Sequence, residues 1–225
     1  MTGLGAPRPA SRGAPLALLA LAFSLAGRGA SAEEAAATAS APTAATAAAP
    51  PEPAARLTVP LVHALALMSV MRLSEAYLWP HPFAETSRVS LGLRYHDAFT
   101  RPPLWDSSQP WFRADGDRWQ INVLGHGLFG SELYLRARTC RLRPWQALLF
   151  TGLASATWEY GFEANGVRPS ALDLAFTPLA GLALGEARYQ AWRATRGLDS
   201  GPLRSTLSAV LDPLGDLERA LGAPC

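Results

Sequence analysis

Arg118-Trp-Gln-Ile-Asn122-Val-Leu-Gly-His126-Gly-Leu-Phe-Gly130-Ser-Glu-Leu-Tyr-Leu-Arg-Ala-Arg138 carries its apolar residues at three- and four-residue intervals, which predicts a helix over 118–138. Asn122 and His126 are four apart, hence on one face of it. Gly125, Gly127 and Gly130 let another backbone come close to that helix. A polar side chain inside an apolar helix loses its water on folding, so Asn122 and His126 need partners on a neighbouring element.

On the C-terminal side, Pro144 suits a first helical position, and a third helix is expected from there to about Glu163, stopped by Asn165-Gly166. Gly152, Ser155, Glu159 and Glu163 follow helical spacing and form a polar stripe along its second half. Acids at a helix C-terminus meet an unfavourable dipole, so helix stability does not account for them. A fourth helix begins at Ser170, where Ser170-Ala-Leu-Asp173 has capping-box form, and runs to about Arg196 with a bend at Pro178. That cap is by itself a sufficient structural role for Asp173. Leu203 to Leu221 gives a last helix, broken at Asp212-Pro213.

Upstream, Leu57 to Trp79 has helical periodicity, with Pro60 tolerated in its first turn and Pro80 ending it. From His81 to Asp117 lies a long segment rich in Pro, Trp and Arg, in which the alternation of Arg88 to Tyr95 is expected to give one short β segment. The fold class is therefore mainly α: an antiparallel bundle of four to five helices over residues 57–222 with a long Trp/Pro-rich loop.

Residues 1–32 read as a secretory signal peptide: Arg8 and Arg12 precede an apolar stretch over 14–27, and Ala30-Ser31-Ala32 offers a small-x-small cleavage site. An uncleaved anchor is the alternative, and the absence of a Cys after the apolar stretch closes the lipoprotein route. Residues 33–56 are almost wholly Ala, Thr, Ser and Pro, a disordered linker by composition. The expected location is thus the periplasm or cell envelope, where Cys140 and Cys225 either pair or stay as free thiols.

The formal net charge is +2, too near neutral for a nucleic-acid partner. The basic run Arg136, Arg138, Arg141, Arg143 either meets phospholipid head groups or complements a helix C-terminus. Charge-free stretches inside the domain stop at Arg72, Glu159 and Glu186, short of the roughly 20 apolar residues that span a bilayer. Small residues on several helix sides, with Trp79, Trp105, Trp111 and Trp119, instead suggest a domain resting on or partly sunk into a membrane. Its expected partner is membrane lipid or an envelope protein; the alternative role for those tryptophans is ordinary packing.

His126, Glu159, Glu163 and Asp173 are the candidate catalytic residues. His126, Glu159 and Glu163 can share a divalent metal, or one carboxyl can be held protonated by its neighbour as a general acid. Asn122, Ser155, Arg138 and Glu186 are candidate ligand-binding residues. Glu186 lies thirteen residues past Asp173 and joins the same site only if Pro178 redirects the chain; an ion pair with Arg193 is its alternative. Phosphate-loop, paired-Cys zinc, His-Glu-x-x-His and Gly-x-Ser-x-Gly signatures are absent from the sequence. Three function classes follow: a structural or interaction protein, a metal- or acid-base-dependent enzyme acting on an envelope lipid or cell-wall component, and a small-ligand binding module.

Asp117-Arg-Trp-Gln-Ile-Asn122, Gly125-His126, Gly130-Ser131, Tyr134, Ala137-Arg138, Trp158-Glu159-Tyr160, Glu163, Pro169-Ser170, Asp173-Leu174, Thr177-Pro178, Gly181 and Gly185-Glu186, in this order, resemble the bacterial domain of unknown function 3943 family over about Asp106 to Asp212. The resemblance implies a shared domain and an envelope location, and it names no reaction. A fainter similarity, in the order of Asp, Asn/His, Glu, Asp and Gly-Glu, is to small membrane families of the VanZ-like type.

Overall fold

The computed structural model describes residues 56–222 and Cys225. The described residues all belong to one unit, 52–225. The expected signal peptide and, Arg56 excepted, the expected linker lie outside them.

The chain is mainly helical. Helix α1 spans Thr58–Leu78, followed by the single turn α2, Pro80–Phe83, and by α3, Arg88–Thr100. A π-helical turn, Gln120–Gly125, leads into α4, His126–Thr139; α5 is Pro144–Thr157 and ends in a second π-helical turn, Trp158–Glu163. Helix α6, Ala171–Ala180, continues through a third π-helical turn, Gly181–Gly185, into α7, Glu186–Thr195. Helices α8, Pro202–Leu211, and α9, Pro213–Ala220, divide at Asp212 as the Asp-Pro pair predicts.

Among the described residues no strand forms; one isolated bridge, Leu104 to Ser170, ties the long loop to the start of α6. The segment expected as β is helical instead. Its inward residues are Leu91, Arg94, Tyr95 and Ala98, spaced three and four apart. Arg94 donates to the Asn165 carbonyl at 2.6 Å and Tyr95 to the Gly161 carbonyl at 2.7 Å. The alternation of Arg88 to Tyr95 had no neighbouring strand to pair with, and the face that meets the domain is the one of helical period.

Helices α4, α5 and α6 form the core that positions the site. Asp173 and Thr177 face His126, and Gly181 faces Gly130, so α4 and α6 run parallel. Ser155 bonds Asp173 and Glu159 bonds Ser170, so α5 returns antiparallel between them. The helices come this close because two of the contacts are made by glycine: a Cβ on Gly181 would sit 2.7 Å from the Gly130 carbonyl oxygen, and one on Gly130 would collide with the Thr177 carbonyl. Ala64 and Met68 of α1 complete an apolar cluster with Phe129, Leu133, Ala154 and Trp158.

Below this core a buried ionic network joins α1, α4 and the C-terminal helices. The Arg136 side chain, 2% exposed, places Nη2 2.8 Å from Asp212 Oδ1 and Nε 3.1 Å from Glu218 Oε2. His63 Nδ1 meets Glu218 at 2.6 Å, and Arg188 meets Glu132 at 2.8 Å. The first arginine of the basic run thus points inward to three carboxylates, Glu132 among them at 3.5 Å, and takes no part in a head-group surface. Cys140 and Cys225 form a disulfide that fastens the C-terminal residue to the end of α4.

Candidate metal centre

Three helical elements bring three buried side chains together. One ring nitrogen of His126 and one carboxylate oxygen each of Glu159 and Asp173 all lie within 4.8 Å of one another. His126 Nε2 faces Asp173 Oδ2 at 3.6 Å, while its Nδ1 shares a 2.9 Å hydrogen bond with the Thr177 hydroxyl. The partner on the second ring nitrogen fixes the imidazole plane, the usual arrangement behind a ligating histidine.

Ser170 organises the carboxylates. Its backbone N–H donates to Glu159 Oε2 at 2.7 Å, its hydroxyl donates to Asp115 Oδ2 at 2.7 Å, and it accepts from the Asp173 N–H at 3.1 Å. Only one arm of the expected capping box is therefore made. Because Glu159 takes the Ser170 N–H, the Asp173 carboxylate is released from capping and turns toward His126. Ser170→Ala removes the cap and the Asp115 anchor together, and is expected to cost about 1–2 kcal/mol in chemical denaturation.

The oxygens left over carry the chemical information. Glu159 Oε1, Asp173 Oδ1 and Asn122 Oδ1 are buried with no hydrogen-bond partner. Orphaned acceptors in the interior are costly and rare. All three are electron-pair donors, and no lysine or arginine bonds them among the described residues.

Electrostatics follow from burial. Loss of water holds His126 down at about 4, in its neutral, lone-pair-bearing form. Burial outweighs the Ser170 N–H bond and, with the charge of neighbouring acids added, pushes Glu159 up to about 8. Burial and then the Glu159 charge push Asp173 up to about 9. Burial also raises Asp115, but its hydrogen bonds from Ser170, the Asp117 N–H and Asn122 outweigh that, and its carboxyl stays below the ordinary range. Near neutral pH burial therefore holds both Glu159 and Asp173 protonated, and only Asp115 keeps its charge with the help of its hydrogen bonds.

The other predicted residues separate into near and far. Asn122 lies beside the centre, donating to Asp115 Oδ1 at 2.7 Å and to the Phe112 carbonyl at 3.2 Å. Ser155 donates to the Asp173 carbonyl at 3.2 Å. Glu163 is partly buried and is raised well above the carboxylate range by burial and by the Glu159 charge, yet it is not one of the three converging groups; Asp173 is. Arg138 and Glu186 sit elsewhere, paired at 2.8 Å, with Gln190 also on Glu186. Arg193 instead stacks over Tyr189, so the Glu186–Arg193 alternative does not form. Asp115 and Thr177 are the positioning residues that pattern reading missed: Asp115 stands in an irregular loop, and Thr177 appears only within the family resemblance.

Residues 111–214 match the family model described as a domain of unknown function, DUF3943. The matched stretch spans His126, Glu159 and Asp173 and supports the resemblance read from the sequence. Neither the curated proteins nor the solved structures supply a match, and the fainter VanZ-like similarity has no support among the comparisons.

Proposed function

We propose that this is an exported, membrane-associated envelope protein whose helical domain holds one divalent cation at His126, Glu159 and Asp173, for acid-base chemistry on an envelope lipid or cell-wall component. One observation carries the reading: three buried potential ligands from separate elements meet within 4.8 Å, leaving carboxylate oxygens with no partner. One imidazole and two carboxylates suit Zn²⁺, Mn²⁺ or Fe²⁺ better than a thiophilic ion. Such an ion, when bound, polarises a substrate oxygen or acidifies a water. The protein's own residues orient the ligands: Thr177 holds the imidazole, and the Ser170 N–H holds Glu159.

Export is supported by the signal-like 1–32 segment and by the Cys140–Cys225 disulfide, a bond suited to an oxidising compartment. Membrane association is supported by the apolar exterior. Trp79, Trp105, Trp111 and Trp119 are each roughly half exposed, not packed in the core. Helix α1, 21 residues with hydropathy 1.3, is long and apolar enough to cross a membrane by length and composition.

The test is elemental analysis of the purified full chain after dialysis against Zn²⁺ or Mn²⁺, beside His126→Ala. The parent is expected to retain one ion per chain and the variant at least tenfold less, a ligand loss of the size metal sites show. A parent that retains no ion, with His126→Ala changing melting temperature alone, would instead mean that the cluster only cements the bundle.

A further inference from the structure

A cleft of about 420 Å³ lies between the end of α7, the start of α8 and the outer side of α9. None of its lining residues belongs to the His126–Glu159–Asp173 centre. Arg196, Arg204 and Arg219 line it with a single acid, Asp216, which leaves two positive charges in a concave site. Arg219 pairs with Asp216 and lies 3.6 Å from the buried Asp212. Arg196 stacks over the Trp192 ring at 5.2 Å, and Arg204 reaches the Leu198 carbonyl at 3.5 Å. Neither of these two meets a carboxylate among the described residues. Asp199 is exposed in the connecting loop but does not line the cleft.

The neutral groups around the arginines are donors as well. Gly201, the N-cap of α8, has no side chain to offer, so the first-turn N–H groups of Leu203 and Arg204 have no capping acceptor. The hydroxyls of Ser200 and Ser205 stand on either side of that turn and line the same cleft. Guanidinium forks, hydroxyls and free N–H groups together recognise an anion with several acceptor oxygens. A phosphate monoester carries about two negative charges at neutral pH, which matches the cleft, whereas a carboxylate supplies one charge and two oxygens. The volume falls within the roughly 300–1,000 Å³ of small-molecule sites, so the cleft takes more than the phosphate alone. Trp192, half-buried, walls the part left for the group that the phosphate esterifies.

We propose that this cleft binds a phosphate monoester, with Arg196 and Arg204 as its cationic clamp and Asp216 as the group that weakens binding by occupying Arg219. The site is separate from the cation centre and does not depend on it.

Calorimetric titration of the full chain with glycerol 3-phosphate tests it, beside phosphatidylcholine vesicles with and without phosphatidic acid, which carries the same group on a lipid. Arg196→Ala/Arg204→Ala is expected to bind glycerol 3-phosphate at least roughly tenfold more weakly than the parent, the size of one lost hydrogen bond to a charged group. Asp216→Asn is expected to bind more tightly, because it frees Arg219, and a gain of this kind does not come from damaged folding. The double arginine variant should melt with the parent, since neither side chain carries an ion pair. His126→Ala should bind the ester as the parent does, so failure of the cation centre and failure of the cleft are read apart. A preference for phosphatidic acid that the double variant loses assigns the ester to lipid; glycerol 3-phosphate binding without that preference assigns it to a soluble molecule, and either result upholds the cleft. Equal binding by the parent and the double variant, no gain in Asp216→Asn, or no binding of either probe by the parent overturns the proposal.

Discussion

Glu159→Gln is expected to abolish cation binding and yet to be more stable than the cation-free parent near neutral pH. The amide keeps an oxygen for the Ser170 N–H, which now bonds Glu159 Oε2 at 2.7 Å. It also brings an N–H into a cluster where Asp173 Oδ1 has no donor. A residue kept for packing gains nothing by being a costly buried acid, whereas a ligand must be one. Replacing an acid that folding must hold protonated should stabilise the empty protein by on the order of 2 kcal/mol near pH 7, and Mn²⁺ titration of the same variant should show at least a hundredfold loss of affinity.

The pH dependence has a definite sign. In the cation-free parent Glu159 and Asp173 titrate near 8 and 9 when folded, against 4.5 and 3.8 for the ordinary groups. Raised carboxyls favour the folded state while protonated, so their contribution is whole below the ordinary values and is lost as pH rises through the folded ones. His126 has the opposite sign, since its imidazole is lowered to about 4, and it acts only below its ordinary 6.5. Thermal melts between about pH 7 and pH 9 therefore separate the raised carboxyls, Glu163 among them, from the imidazole, and the Glu159→Gln comparison picks out the share of Glu159. The empty parent should lose stability across that window, Glu159→Gln should lose less, and saturating cation should flatten both carboxyl contributions in the parent alone.

The second large effect lies outside the site. Arg136→Ala is expected to cost about 3–5 kcal/mol, the range for breaking a buried ion pair from one side. The guanidinium is 2% exposed and serves Asp212, Glu218 and Glu132 at once, and Asp212 is fully buried. Arg219, 3.6 Å from Asp212, and Arg188, on Glu132, would remain but do not replace the bond to Glu218. Urea denaturation reads the loss, and a cost under 1 kcal/mol would show that solvent enters and screens the network.

Much of this architecture was legible as periodicity and punctuation. Pro144 opens α5 with Gln146 accepting the Arg143 N–H at 2.8 Å, Ser170 caps α6, and Asp212-Pro213 divides the last two helices. Local rules sufficed there because the partners are neighbours in sequence. Arg88 to Tyr95 misled because alternation is weak over a short stretch and its outcome depends on whether a strand waits alongside. The inward turn of Arg136 was illegible too, since two of its three carboxylates, Asp212 and Glu218, lie far along the chain.

The site was legible as residues and not as geometry. Helical spacing put Glu159 and Glu163 on one face, so both were natural ligands, while Asp173 had a local explanation in its cap. The π-helical turn over Trp158–Glu163 and the diversion of the Ser170 N–H to Glu159 change those roles. Neither has a local sequence signal. Turns of this kind recur at functional sites, and two of the three here hold Asn122 and Glu159.

Anomalous diffraction from crystals soaked in Mn²⁺ or Zn²⁺ tests the centre most directly. A single peak within coordination distance of a His126 ring nitrogen and of oxygens of both Glu159 and Asp173 is the predicted result. Crystals that take up no ion there, with the three side chains still in mutual contact, would contradict it.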